Sequence, residues 1–206
     1  ITAVSACVNG GRLMKPYVVR RMLNSDGSLA YEREPTLVRQ VISEETSAKV
    51  RSILERVVGD DKDGTGRNAA VPGYRIGGKT GTSEKVSLEA QTGEKEYIVS
   101  FIGFAPAEDP QIAVLVFLDT PSNKSGIYIS GGQMAAPVVG NMMADILPYI
   151  GVEAQYSEEE RAKMDVAAPQ LVGLSKAELT AELQNAGLRY RSIGEGESVD
   201  ISEEFA

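Results

Sequence analysis

The chain has 206 residues, 42% of them apolar and 24% charged, with a net charge of −8, one cysteine and no histidine. This is the balance of a globular protein with enough chain to bury a core. It excludes Ser-His-Asp and Cys-His machinery and leaves no plausible zinc site. It also excludes an intrachain disulfide, because Cys7 has no partner, and a basic footprint for nucleic acid. Any acid–base chemistry falls to Lys, Asp, Glu, Tyr or a metal.

The opening ITAVSACVNGG has neither the basic start nor the cleavage pattern of a signal peptide, and it reads as mid-helix. The expectation is a piece of a longer chain, with any export signal or anchor upstream. No run reaches the ~18 apolar residues that span a bilayer. Residues 2–9 are read as a helix end capped by Gly10-Gly11, and Pro16 to Met22 as a strand. Asn24-Ser25-Asp26-Gly27 is a turn signal, and residues 36–42 form a second candidate strand. Ser43 is a helix N-cap with Glu44 and Glu45 in the first turn. Val50, Ile53, Leu54, Val57 and Val58 then recur at helical spacing, and Gly59 ends the pattern. Residues 60–73 form a polar, glycine-rich loop.

Three strands are expected over 75–83, 98–104 and 112–118. The last two are nearly continuous apolar runs, IVSFIGF and IAVLVFL, of the kind covered on both faces, with Leu115 in the buried centre. The short connector APAEDP makes them an antiparallel pair. Pro137 opens a helix with Val138, Val139, Met142, Met143, Ile146 and Leu147 on its apolar stripe. The layout is α/β or α+β, helices packed on an antiparallel sheet. Composition then shifts: residues 151–206 hold 12 acidic and 5 basic side chains. Residues 151–165 read as an acidic linker or solvated helix. In 166–206, Ser175 and Glu178 make a capping box, with Leu174 and Leu179 placed as a staple. Leu179, Leu183 and Ala186 line one face, Gly187 is the stop and LRYRSIG is a following strand.

The chemistry centres on Gly77-Gly78-Lys79-Thr80-Gly81-Thr82-Ser83. Gly73 and Gly78 have phosphate-loop spacing before Lys79-Thr80. That reading fails because no helical periodicity follows the lysine and no buried strand precedes Gly73. The alternative is the Lys-Thr-Gly motif of serine acyl-transferases that work without histidine. A lysine on an edge strand binds a substrate carboxylate and biases nearby protonation. Threonine hydroxyls bind the same carboxylate. Glycine lets the substrate lie against the backbone, and an N–H just beyond can hold an oxyanion. Three residues alone are a weak signal; context strengthens it.

GTGRNAAVPGYRIGGKTGTSEK (64–85), ITAVSACVNGGRLMKPYVV (1–19) and ISGGQMAAPVVGNMM (129–143) together resemble the transpeptidase domain of class B penicillin-binding proteins, in that family's order. Residues 166–206 resemble a PASTA module, a cell-wall-associated unit appended to such enzymes in Gram-positive types of the septal or sporulation branch. The expected domains are therefore 1–150 (C-terminal part of a transpeptidase), 151–165 (linker) and 166–206 (an incomplete PASTA-like module). The resemblance implies the penicillin-binding fold and peptidoglycan cross-linking from D-Ala-D-Ala stem peptides, inhibited by β-lactams. It also implies septal or sporulation cell-wall proteins as partners and an extracytoplasmic location, membrane-anchored through a segment absent from this chain.

On the same resemblance, Lys79, Thr80 and Gly81 are the catalytic motif. Thr80, Thr82 and Ser83 bind substrate, and the Thr82 N–H and hydroxyl serve the oxyanion and the carboxylate. No cofactor and no metal are expected. The family's S-x-x-K nucleophile and S-x-N motif do not occur in these residues, so the chain by itself is expected to be inactive. The alternatives are a β-lactam-sensing or β-lactam-hydrolysing relative of the same fold and a non-catalytic wall- or partner-binding module. Thr65, Gly66 and Arg67 are read as surface loop, with a place bordering the cleft as the alternative. Cys7 is read as a small buried hydrophobe and the Met142-Met143 pair as helix core. Asp119 and Asp60, Asp61 and Asp63 are read as solvated acids, because an EF-hand would need a closing glutamate.

Overall fold

The computed structural model describes residues 1–59, 62–86, 95–122, 124, 126–164, 171 and 173–186, which fall into two compact units, Ile1–Tyr156 and Ser157–Ala206. In the first, α1 (Thr2–Val8) ends where Gly10 and Gly11 take left-handed backbone, φ +88° and +85°. Gly11 has a second reason to be glycine: a Cβ there would sit 2.0 Å from the Ile42 carbonyl oxygen. Of the strand expected over Pro16–Met22 only its end, Arg21 and Met22, is strand; a separate short strand precedes Pro16. β1 (Arg12–Met14) pairs antiparallel with β4 (Leu37–Gln40), and β2 (Arg21–Leu23) pairs with β3 (Leu29–Glu32). Pro16 cannot donate to a ladder. The Asn24–Gly27 turn instead folds β2 onto β3, with the Asn24 N–H donating to the Ser28 carbonyl at 2.9 Å.

α2 (Glu44–Gly59) starts as expected, with the Ser43 hydroxyl accepting from the Thr46 N–H at 3.1 Å. Fully buried Ser47 ties α2 to the end of α1. Its hydroxyl donates to the Cys7 carbonyl at 2.7 Å and accepts from the Gly10 N–H at 3.0 Å. Farther along, Glu55 takes a two-pronged pair from Arg75, at 2.5 and 2.8 Å, which anchors the chain entering the next strand.

The central sheet is β5 (Gly77–Glu84), β6 (Tyr97–Ala105) and β7 (Ile112–Asp119), antiparallel in that spatial order, with Thr80 opposite Phe101 and Phe101 opposite Val116. Phe101 and Phe104, both fully buried, face opposite sides, as strand alternation requires. Their rings lie across Gly78 and Gly77: a Cβ on either glycine would come within 2.3 Å of ring carbon. The two glycines that precede the lysine are thus part of the packing of β6. On the Phe101 side lie Val139, Met143 and Leu147 of α3 (Ala136–Tyr149); on the Phe104 side lie Val8 and Ala107, with Cys7 and Leu54 partly buried beside them.

Two packing expectations are corrected. β7 is covered on one face only: Val114 is buried, whereas Leu115 is 39% and Phe117 64% exposed. An unbroken apolar run does not tell a two-sided strand from an outer strand whose second face is open. The stripe of α3 is also narrower than its sequence suggests, since Val138 and Met142 are exposed and Gly140 takes the place beside Ala69. Residues after α3 stay on this unit. The Val152 N–H bonds to the Leu147 carbonyl, the Gln155 N–H bonds to the Gly73 carbonyl at 2.7 Å, and the Tyr156 ring lies against Gly73.

The second unit has α4 (Glu158–Met164) and α5 (Lys176–Asn185). The Ser175–Glu178 capping box is formed, and Leu179 and Leu183 are buried. The expected Gly187 stop and the strand over 188–194 lie outside the described residues. No described helix is long and apolar enough to cross a membrane.

Candidate active site

β5 is an outer strand of its sheet, so one backbone edge of Lys79–Thr82 is left unpaired by strands. No helix follows Lys79, which sits inside β5, and this removes the phosphate-loop alternative. The lysine side chain is exposed. Its ammonium donates to the Thr80 carbonyl at 2.8 Å and lies 3.4 Å from the Thr80 hydroxyl. The Lys85 N–H bonds to the Glu96 carbonyl opposite it, and the register runs unbroken from there to Gly77, so odd-numbered residues of β5 face β6 and the Thr80 carbonyl points off the sheet edge. Hydrogen-bonded and non-bonded positions alternate along an antiparallel pair, so the Thr82 backbone groups, two residues on, point off the same edge. This is the orientation an oxyanion-binding N–H requires. Gly81, between them, faces β6 opposite Ser100, and a Cβ on it would meet the Ser100 hydroxyl at 2.5 Å. Ser83 is exposed next along the strand.

Two further segments reach this edge. The first is the loop 64–66, and here the cleft-border alternative is the one realised: the loop brings the Thr65 hydroxyl 3.5 Å from that of Thr80. Gly66 is held beneath, against the Phe101 ring and Val57. A short 3₁₀ turn, Arg67–Ala69, follows.

The second is a π-helical turn, Gly131–Ala135, that leads into α3 and starts from Ser130, whose hydroxyl accepts from the Gln133 N–H. Its two glycines cross β5. The Gly131 N–H donates to the Thr82 hydroxyl at 3.3 Å, and a Cβ on Gly131 would strike the Ser100 and Gly81 carbonyls. Gly132 sits against the Thr65 carbonyl and the Thr80 methyl, and its own carbonyl accepts from the Asn68 amide at 2.8 Å. The sequence offers Thr65 as a cleft-border residue only as an alternative, and it does not single out Asn68, Gly131 or Gly132. The Gly-Gly pair ahead of Pro137 is a signal for them in hindsight, since it permits close backbone approach.

Past Glu84 the three strands are tied by charge. Lys85 pairs with Asp119 and, at 3.5 Å, with Glu96; it also donates to the Thr120 hydroxyl at 2.6 Å. Hydrogen bonding to Asp119 raises the Lys85 pKa, and the same bond, with one from Thr120, lowers that of Asp119. Glu84 is paired with Lys95 and accepts from the Tyr97 hydroxyl, and both lower its pKa. Asp119 is exposed, as read from the sequence, and is also ion-paired with Lys85. Asp60 and Asp61 lie outside the described residues. Among the described residues, no cluster of three acidic or cysteine side chains could hold a metal ion.

The sequence and the fold of the first unit both have counterparts among known proteins. The family model for the penicillin-binding protein transpeptidase domain matches residues 1–144, and the chain belongs to that family. Among curated relatives, Stage V sporulation protein D of Bacillus subtilis is 42% identical over 205 residues, spanning 97% of this chain and 30% of that protein. Penicillin-binding protein PbpB of Mycolicibacterium smegmatis is 35% identical over 135 residues, 63% of this chain and 20% of its own length. The chain thus spans under a third of these relatives. The D,D-transpeptidase domain of a peptidoglycan glycosyltransferase from Eggerthella lenta superimposes with a TM-score of 0.59 at 30% identity, over 74% of this chain and 32% of that one. Penicillin-binding protein 3 of Mycobacterium tuberculosis, solved in complex with aztreonam, gives a TM-score of 0.61 at 29% identity, over 74% and 35%.

Proposed function

We propose that the chain is the C-terminal part of a peptidoglycan D,D-transpeptidase and supplies the lysine-bearing wall of its active site. The nucleophilic serine of S-x-x-K and the S-x-N motif belong to the part of the protein outside these 206 residues. In the reaction the serine oxygen attacks the penultimate D-Ala carbonyl of a stem peptide. The terminal D-Ala leaves with a proton, and the amine of a neighbouring stem then takes the acyl group and frees the serine. The observation that carries this reading is the Lys79–Thr80–Gly81–Thr82 edge, with its backbone unpaired by strands and its ammonium beside a threonine hydroxyl.

Lys79 supplies fixed positive charge for the substrate carboxylate and for proton movement at the serine. The Thr80 and Thr82 hydroxyls bind that carboxylate, with Ser83 beside them, and the Thr82 N–H binds the oxyanion. β-Lactams acylate the same serine; a structural relative solved with aztreonam supports this part of the reading. The working location is outside the cytoplasmic membrane, anchored by another segment, with septal or sporulation cell-wall proteins as partners. Residues 166–206 serve as a partial PASTA-like module, and of the linker 151–165 the first six residues pack on the catalytic part.

The test is second-order acylation of the full-length protein by a fluorescent penicillin. Lys79→Ala lowers the rate by roughly 10²–10³, the effect of removing one preorganised electrostatic contact. Lys79→Arg does not restore it, because a planar fork replaces a compact point charge. Unchanged acylation with an unchanged thermal melt would reduce Lys79 to a surface residue and overturn the reading.

A further inference from the structure

We infer that Asn68 is a positioning residue for the carboxylate-binding threonines, an inference that rests on the transpeptidase reading above. Its amide donates to the Gly132 carbonyl at 2.8 Å and is the side-chain bond between the 64–69 loop and the π-helical turn. Both segments touch the motif strand. From the loop, the Thr65 hydroxyl lies 3.5 Å from the Thr80 hydroxyl. From the turn, the Gly131 N–H holds the Thr82 hydroxyl at 3.3 Å. Between them Gly132 lies so close that a Cβ on it would be 2.3 Å from the Thr65 carbonyl oxygen and 3.6 Å from the Thr80 methyl.

Buried packing brings the loop and the turn together, with Gly66 on the Phe101 ring and Ala69 beside Gly140. The amide of the otherwise exposed Asn68 adds the polar tie that trims how they meet, and where they meet decides how two hydroxyls on one strand edge are aimed. Neither the loop nor the turn belongs to the sheet ladder, so the ladder alone does not set their separation. Releasing the amide leaves β5 paired to β6 as before but lets the Thr65 and Gly131 partners of the two hydroxyls shift slightly relative to one another. A ligand that needs both hydroxyls on one carboxylate then loses the aligned pair, while one without a carboxylate loses nothing.

The experiment uses the full-length protein and two probes, a penicillin with its free carboxylate and the corresponding methyl ester. Acylation rates are measured for wild type, Asn68→Leu and Asn68→Ala, with thermal melts alongside. The expected result is a roughly tenfold lower rate with the free acid in both variants, the scale of a modest misplacement of binding groups. The ester rate stays unchanged, so the acid-over-ester preference falls by the same factor. An unchanged preference in both variants, or equal losses with acid and ester, would overturn the inference while wild-type acylation and its Lys79 dependence still stood. A wild-type protein that forms no adduct would overturn the transpeptidase reading and this inference together.

Discussion

Lys85 collects three oxygens at the end of the sheet, from Asp119, Glu96 and Thr120, and so links the last residues of β5 to the start of β6 and the end of β7. The pH dependence of this link follows from its two shifts. The folded pKa of Asp119 is lowered, so its contribution is fully present above the ordinary carboxylate value of about 3.9 and is lost as pH falls through the lowered value. The folded pKa of Lys85 is raised, so its contribution is fully present below about 10.4 and is lost as pH rises through the raised value. In thermal melts, Asp119→Asn is therefore expected to lower Tm by an amount that is level across the neutral range and shrinks towards zero in strong acid. A deficit that grew on acidification would contradict the pairing. Nothing in the sequence pointed to this link, because Lys85 and Asp119 are far apart in the chain and only the antiparallel register brings them together.

At the scale of elements, the core is one strand deep. β6 has both faces covered, by α3 on the Phe101 side and by α1 with the Ala107 segment on the Phe104 side. β7 has one face open. In urea unfolding of this chain, Phe101→Ala is expected to cost about 3–5 kcal/mol, the range for deleting a fully buried aromatic ring. Leu115→Ala costs well under half of that, because Leu115 keeps 39% of its surface in water. Equal losses would mean that the open face of β7 is covered in solution. The elements were legible where local chemistry suffices: the Ser43 cap of α2, the Gly10-Gly11 stop of α1, the Ser175–Glu178 box and the three sheet strands. They were illegible where tertiary context decides. β3 (LAYE) carries little alternation, and it is a strand because a turn presents it to β2. The entry to α3 reads as plain helix, and it is a π-helical turn because its glycines must cross β5. The site divides the same way. Lys79, Thr80, Gly81 and Thr82 announce themselves by type and order, whereas Thr65 and Asn68 join them only through the approach of two segments some sixty-five residues apart.

Across the whole chain, the proposed transpeptidase mechanism is divided between groups found in these 206 residues and a nucleophile that is not among them. The described half offers positive charge, hydroxyls and a free backbone edge, all of which bind and stabilise but do not form a covalent bond to an acyl group. No serine of the 206 residues heads an S-x-x-K sequence, and no S-x-N occurs. The serine at the motif itself, Ser83, lies one residue past Thr82 on exposed strand, with Glu84 rather than a lysine as its next neighbour. Without histidine and without a lysine placed for it as a base, a hydroxyl there stays protonated and is a poor nucleophile. The purified 206-residue chain is accordingly expected to show no mass increase after incubation with a fluorescent penicillin, by intact-mass measurement and by in-gel fluorescence. The full-length protein under the same conditions gains one acyl group. Stoichiometric labelling of the short chain would locate a nucleophile among these residues, and peptide mapping of the adduct would name it. The division of labour proposed here would then have to be redrawn around that residue.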